Sequence, residues 1–227
     1  MQLDLDIRKT LRSGKRTFTL RVALRSDSQR LVVLGPSGAG KSLLLKAIAG
    51  LMTPDQGHVR LGETTLFDSA ARINLAPQRR RMAYLFQDYA LFPHLNVRQN
   101  IAFGLQRGWL NPGRHADHAA VEHWLAAFEL RPVAEQYPAE LSGGQRQRTA
   151  LARALIAEPR ALLLDEPFAA LDPHLRRHMR AELDGLQRHL RVPMLLITHD
   201  PADAEVFGDQ VLYLDNGLLG EPRDDWG

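Results

Sequence analysis

Gly35-Pro36-Ser37-Gly38-Ala39-Gly40-Lys41-Ser42 is the stretch on which the rest of the chain depends. It follows the apolar run Leu31-Val32-Val33-Leu34, whose length and bounds predict a buried strand. It leads into Leu43-Leu44-Leu45-Lys46-Ala47-Ile48-Ala49, which predicts a helix. Strand, glycine loop and helix in that order give the pattern G-x-x-x-x-G-K-[ST] its meaning. The glycines let successive backbone N–H groups turn toward one anion, and the new helix adds its positive end. Lys41 is then placed for β- and γ-phosphates, and the Ser42 hydroxyl for Mg²⁺. A plain strand-to-helix turn with a solvated lysine is the competing reading, and the flanking elements favour phosphate binding.

At 227 residues, 44% hydrophobic and 24% charged, the chain has the makeup of a globular protein with a real core. No apolar run is long enough to span a bilayer, and the start carries no signal-peptide pattern, so a membrane role is expected to need a partner. The absence of cysteine excludes disulfides, thiolate catalysis and Cys-ligated zinc. A formal charge of +3 with scattered basic residues predicts no nucleic-acid face. The densest basic run, Arg79-Arg80-Arg81, reads as a solvated loop.

Before the glycine loop, Leu3, Leu5 and Ile7, then Phe18, Leu20, Val22 and Leu24, alternate with polar residues around Ser13-Gly14-Lys15, which predicts an antiparallel pair of strands. After it, Thr53-Pro54 stops the helix. Gly57–Leu61 and Thr65–Phe67 predict short strands, Asp68–Gln78 a loop, and Met82–Phe86 a strand ending at Gln87-Asp88. From Asn96 to about Pro138 the patterns are helical. Asn96 with Gln99 forms a possible capping box, Val121, Trp124, Leu125 and Phe128 have helical spacing, and Gly108–His115 is a loop between them. A helical block between strand regions predicts an inserted subdomain. Leu141-Ser142-Gly143-Gly144-Gln145 opens a further helix that Pro159 ends. Ala161–Leu164 and Met194–Thr198 are predicted buried strands, Asp172-Pro173 opens a helix to about Leu190, and Pro201–Phe207 is a short helix. Asp215-Asn216-Gly217 is a hairpin turn.

Two further clusters bear on chemistry. Asp165-Glu166 follows a wholly apolar strand, the place where α/β sheets hold ligands. The first carboxylate there can hold Mg²⁺ through water and the second can polarise an attacking water; taken alone, both are solvated acids. Ser142-Gly143-Gly144-Gln145 fits a capping box. The box leaves unexplained two glycines in a first turn, each costing about 0.5–1 kcal/mol relative to alanine. Bare backbone at a positive helix end suits a second phosphate site.

In order along the chain, Gly35–Ser42, Gln87, Leu141–Gln145, Asp165-Glu166, Ala170-Leu171-Asp172 and His199 resemble the Walker A, Q-loop, signature, Walker B, D-loop and switch histidine of an ABC-type ATPase. The resemblance implies an α/β P-loop NTPase with a RecA-like core, an N-terminal antiparallel β region and an inserted α-helical subdomain. Residues 1–87 and 159–227 would form core and β region, and about 88–158 the helical subdomain, in a single nucleotide-binding domain. It implies ATP and Mg²⁺ as ligands and a head-to-tail dimer, each ATP lying between Lys41 of one copy and Ser142-Gly143-Gly144 of the other. By the same resemblance Glu166 is the catalytic base, His199 reaches the γ-phosphate and attacking water, and Gln87 contacts Mg²⁺ or that water. Ser42 and Asp165 serve the metal, and Asp172 communicates across the dimer. Read singly, Gln87 is a polar strand end, Asp172 a helix cap and His199 an ordinary satisfied histidine. The family's adenine-stacking aromatic has Phe18 as its nearby candidate, a position that fits the core equally well.

Tyr84–His94, with Arg79-Arg80-Arg81 before it and Val97–Asn100 after, resembles the ATPases of solute importers for anions, metals or sugars, the molybdate group nearest and sulfate and ferric iron next. That resemblance implies membrane permease subunits, a solute-binding protein acting through them, and a peripheral place on the cytoplasmic face of the membrane. Many of the group carry a C-terminal β domain; the chain ends at Gly227, so no such regulatory domain is expected within it. Two other classes stay open. A soluble ABC ATPase acting on DNA or ribosomes would bring a long coiled coil, a zinc site or a second cassette. An exporter ATPase would lack the Gln87–His94 stretch. A non-ABC P-loop kinase leaves Ser142–Gln145 unexplained.

Overall fold

The computed structural model describes residues 2–14, 16–105, 111–114, 116, 118–169 and 171–220. Of the predicted features, Lys15, Gly108–Leu110, His115 and Ala170 lie outside them.

Period-two alternation makes β1 (Leu3–Ser13) and β2 (Arg16–Ser26) an antiparallel pair, with Leu5 opposite Leu24 and Ile7 opposite Val22 on one buried face. β3 (Arg30–Leu34) runs into the glycine loop and then α1 (Lys41–Ala49). β4 (Gln56–Leu61), β5 (Thr64–Asp68) and β6 (Ile73–Asn74) form a meander, followed by the single turn α2 (Pro77–Arg80) and β7 (Met82–Leu85). The helical stretch holds α3 (Val97–Phe103), α4 (Ala119–Ala127) and α5 (Gly143–Leu155). Then come β8 (Ala161–Asp165), α6 (Pro173–Leu190), β9 (Met194–Thr198), α7 (Pro201–Phe207), β10 (Gln210–Asp215) and β11 (Leu218–Gly220).

Among the described residues the strands form one eleven-stranded sheet in the order β6-β5-β4-β1-β2-β11-β10-β3-β9-β8-β7. The half from β10 to β7 is parallel and the half from β6 to β2 is antiparallel. β11 joins them, antiparallel to β10 and parallel to β2 through Leu218 and Arg21. Of the parallel strands, β3, β8 and β9 bury both faces, which is why they read as unbroken apolar runs. Leu31 and Val33 of β3 and Leu163 of β8 pack with α1 and the hairpin on one side. Val32, Leu162 and Leu164 point the other way and share a core with Val97, Ile101, Val121, Leu125 and Leu151 of the helical stretch. The α3 capping box is present: Gln99 N–H donates to Asn96 Oδ1 at 2.8 Å, and Asn96 N–H donates to Gln99 Oε1 at 3.1 Å.

The stretch 68–78 is more ordered than a loop, since it contains β6 and the start of α2. The solvated reading of Arg79-Arg80-Arg81 is corrected at its centre. Arg80 has 0% of its surface exposed, while Arg79 and Arg81 face water. Its guanidinium donates to Ala47 O at 2.9 Å, Ile48 O at 2.8 Å, Leu75 O at 2.9 Å and Asn74 Oδ1 at 3.0 Å. The last carbonyls of a helix lack intrahelical donors, and a cation suits that negative end. Arg80 therefore caps the far end of α1, the helix that begins at the glycine loop. Gly50 makes room for it: a Cβ there would stand 2.5 Å from Arg80 Nε. Replacing Arg80 with Met leaves several buried acceptors unpaired, and about 3 kcal/mol of stability is expected to go. Denaturant midpoints check this against Arg79→Met, which is expected to stay within ~0.5 kcal/mol.

Candidate functional site

The glycine loop is fixed by its neighbours before any ligand arrives. A Cβ on Gly35 would sit 2.0 Å from Leu214 O, so the close approach of β10 requires glycine there. Gly40 precedes α1 with φ +101°, and a Cβ on it would meet the Phe18 ring at 2.8 Å. The Asn216-Gly217 turn holds the loop from outside, Gly217 N–H donating to Ala39 O at 2.9 Å. Lys41 is almost wholly buried. Its ammonium donates to Gly35 O at 2.8 Å and Pro36 O at 3.0 Å and stands 3.4 Å from Glu166 Oε1. The lysine is thus curled over its own loop with its charge turned to the Glu166 carboxylate.

Asp165 closes β8 on the face of the sheet that α1 covers. Ser42 Oγ donates to Asp165 Oδ1 at 2.9 Å, and Tyr84 OH donates to Asp165 Oδ2 at 2.6 Å. Burial, then the carboxylate beside it, push the Tyr84 phenol well above the ordinary tyrosine range, so it stays protonated and a donor. Glu166 lies one residue on, with φ +45°, a left-handed backbone that costs a non-glycine residue about 1–2 kcal/mol. Its N–H donates to Ile197 O at 3.0 Å, which ties the strained residue to β9. Glu166 Oε2 is 3.1 Å from His199 Nδ1, just past the end of β9. Lys41, Glu166 and His199 therefore form one chain of polar contacts.

The loop that carries His199 is clamped by α6. Asp200 Oδ2 accepts from Arg176 Nη1 at 3.2 Å and Arg180 Nη2 at 2.5 Å, and Asp203 Oδ1 accepts from Arg180 Nε at 2.5 Å. The two arginines stand one helical turn apart, a spacing visible in the sequence, but their partners are set by tertiary contact.

Gln87 is exposed past the end of β7 and lines one cleft with Gly38, Gly40, Lys41, Ser42 and Glu166. Leu11 and Phe18, cross-strand partners, form the opposite wall. Phe18 packs on Gly40 and lines this cleft. A second opening, lined by Leu34, Gly35, Pro36, Ser37, His199, Pro201 and Tyr213, adjoins the loop on its other side. The donor set fits a magnesium–phosphate group: a hydroxyl and a carboxylate held together at a helix N-terminus, a buried ammonium, and backbone free of Cβ atoms. Ser42 and Asp165 would hold the metal, with Gln87 within the same cleft.

Ser142–Gln145 does not line that cleft. Gln145 N–H donates to Ser142 Oγ at 3.3 Å and Ser142 N–H to Gln145 Oε1 at 2.9 Å, a complete capping box at the start of α5. Its two glycines also have neighbours within the chain. A Cβ on Gly143 would stand 3.3 Å from Leu171 Cδ2, and one on Gly144 would come into contact with Leu175 and Met179 of α6, so Leu171 and α6 pack against this turn. Ser142 itself is exposed. Asp172 is exposed as well and caps α6, its Oδ1 accepting from His174 and Leu175 N–H, both at 3.0 Å. Those N–H groups, Leu175 first, hold its carboxyl below the usual range.

A family profile described as "ABC transporter" matches residues 22–169. The chain is similar to the molybdenum import ATP-binding protein ModC of Mycobacterium tuberculosis, 45% identical over 198 residues that cover 86% of this chain and 54% of that protein. It is similar to the sulfate/thiosulfate import ATP-binding protein CysA of Synechocystis, 43% identical over 85% of this chain and 52% of that protein. It spans about half the length of these curated relatives. With the molybdate/tungstate import ATP-binding protein WtpC of Archaeoglobus fulgidus it is 42% identical over 96% of this chain and 85% of that protein. Among solved structures, the dimeric ATP-binding cassette MJ0796, in a post-hydrolysis state bound to ADP and Pi, superposes with a TM-score of 0.77 at 28% identity, covering 96% of this chain and 97% of that one. With a profile that takes in most of the chain and a near full-length relative, the chain belongs to the ABC transporter family of ATP-binding cassettes.

Proposed function

We propose that the chain binds ATP with Mg²⁺, hydrolyses it as a head-to-tail pair, and powers an importer through separate membrane subunits. One observation carries the ATPase reading: Lys41, Ser42, Gln87, Asp165, Glu166 and His199, drawn from four separate places in the sequence, converge on the walls and rim of one cleft. Lys41 leaves its loop carbonyls for the β- and γ-phosphates. Glu166 takes the proton of the attacking water, with His199 beside it and Gln87 at the mouth. When bound, Mg²⁺ neutralises charge on the phosphates and orients them. Phe18, with Leu11 across the strand, offers the nucleobase an apolar wall.

Ser142, at the N-terminus of α5, is exposed at a positive helix end, and Asp172 is also exposed. A second copy turned head to tail would supply the phosphate. The dimeric cassette among the solved structures supports a pairing of two copies.

The importer reading rests on the relatives, whose names specify molybdenum, sulfate/thiosulfate and molybdate/tungstate import. An oxyanion, molybdate first, is the proposed solute. Among the described residues no helix is long and apolar enough to cross a membrane. By likeness to the import ATP-binding relatives, the proposed place is peripheral, on the cytoplasmic face, bound to permease subunits that receive solute from a binding protein. The test is a gentle-detergent purification of tagged Glu166→Gln protein from native membranes with ATP present. A polytopic membrane protein is expected to co-purify, and the reconstituted wild-type complex is expected to raise its ATPase rate with molybdate and its binding protein. Recovery of ribosomal or DNA-bound proteins alone would sink the importer reading and leave the ATPase chemistry standing.

A further inference from the structure

The geometry points to Tyr84 as a positioning residue for the metal-binding carboxylate: its hydroxyl fixes Asp165 so that the other oxygen serves Ser42 and Mg²⁺. This rests on the reading of the cleft as a Mg²⁺–nucleotide site.

The placement follows from sheet geometry. β7 and β8 are parallel, with Tyr84 beside Leu163. Side chains alternate across a sheet, so Leu163 and Asp165 share a face, and Tyr84 lies on it too. Tyr84 packs against the core beneath α1, whereas Ala83 and Leu85 belong to the opposite core. A residue two steps along the neighbouring strand is within reach of a long side chain, and the phenol spans that diagonal to Oδ2 at 2.6 Å. Asp165, almost wholly buried, thus has both oxygens engaged, Oδ1 by Ser42 and Oδ2 by Tyr84. A carboxylate with one free oxygen can rotate about its last bond; with both held it cannot. Groups that hold a ligand's far side commonly change metal affinity by about 10- to 100-fold when removed. An apolar residue at position 84 would fill the same space and leave Oδ2 without a donor.

The experiment measures binding of a fluorescent ATP analogue to wild type and Tyr84→Phe, titrating Mg²⁺ at fixed nucleotide and nucleotide in excess EDTA. The Mg²⁺ midpoint is expected to rise about 10-fold in Tyr84→Phe, with affinity in EDTA unchanged; the melting temperature without nucleotide falls somewhat, because the buried Asp165 Oδ2 loses its donor. A merely structural role would move both affinities together. Because Tyr84 acts through Asp165, adding Tyr84→Phe to Asp165→Asn is expected to change the midpoint no further. Tyr84→Met gives a second donor-free variant should the first fail to fold. Equal midpoints in wild type and Tyr84→Phe, or a full further shift on the Asp165→Asn background, would overturn the assignment while leaving the site intact. Wild-type binding that ignores Mg²⁺ altogether would overturn both.

Discussion

Glu166→Gln is expected to bind nucleotide as wild type does and to lose turnover by about 10²- to 10⁴-fold, the range a positioned general base contributes. The substitution keeps volume and shape. The amide can still accept from Lys41 and donate to a neutral His199, so the contacts at 3.4 Å and 3.1 Å have replacements and the fold is retained. What goes is the ability to take a proton. The backbone argues for the same role. Glu166 is held at φ +45° by its N–H bond to Ile197 O, a strained placement that aims the carboxylate between Lys41 and His199. Phosphate release measured alongside nucleotide affinity separates chemistry from binding. If closure precedes hydrolysis, the variant is also expected to accumulate as a dimer with ATP, readable by size-exclusion chromatography. Full turnover in Glu166→Gln would remove the residue from the base role.

The parts of this molecule that depend on neighbours in sequence were legible from sequence. The unbroken apolar runs of β3, β8 and β9, the Asn96 and Ser142 capping boxes and the Asp172 cap are each written within a few residues, and each is present in the structure. The glycine loop and the carboxylates at the end of β8 were legible for the same reason, because their chemistry is carried by local spacing. What escaped depends on partners far away. Arg80 looks like one of three solvated arginines until α1 brings the carbonyls of Ala47 and Ile48 to it. Tyr84 reads as one more apolar strand residue, since its hydroxyl acquires meaning only when β7 lies beside β8. The first-turn glycines of α5 suggested room for phosphate; the structure adds that α6 fills part of the space behind them. Arg180 and Asp203 are ordinary surface-type residues in sequence and a buried clamp beside His199 in the fold.

Lys41→Ala is expected to weaken ATP binding by about 10- to 100-fold, because a charge-assisted hydrogen bond is worth about 1.5–3 kcal/mol. The fold itself should lose little. Lys41 donates to Gly35 O and Pro36 O, yet the loop has independent supports in the Gly217–Ala39 bond and the packing of Gly35 on Leu214. A melting temperature close to wild type together with lost affinity would therefore place the effect at the ligand. Lys41→Arg sharpens the test. The side chain at 41 is only 4% exposed, and a planar guanidinium with a fixed fork does not fit the path taken by a single ammonium between two carbonyls and Glu166. Charge alone would restore binding in the arginine variant, whereas the geometry described here predicts that it stays weak. Isothermal titration of the three proteins with Mg²⁺–ATP distinguishes these outcomes. Unchanged affinity in Lys41→Ala would mean that the buried ammonium serves only its own loop, and the phosphate site would have to be sought outside the glycine loop.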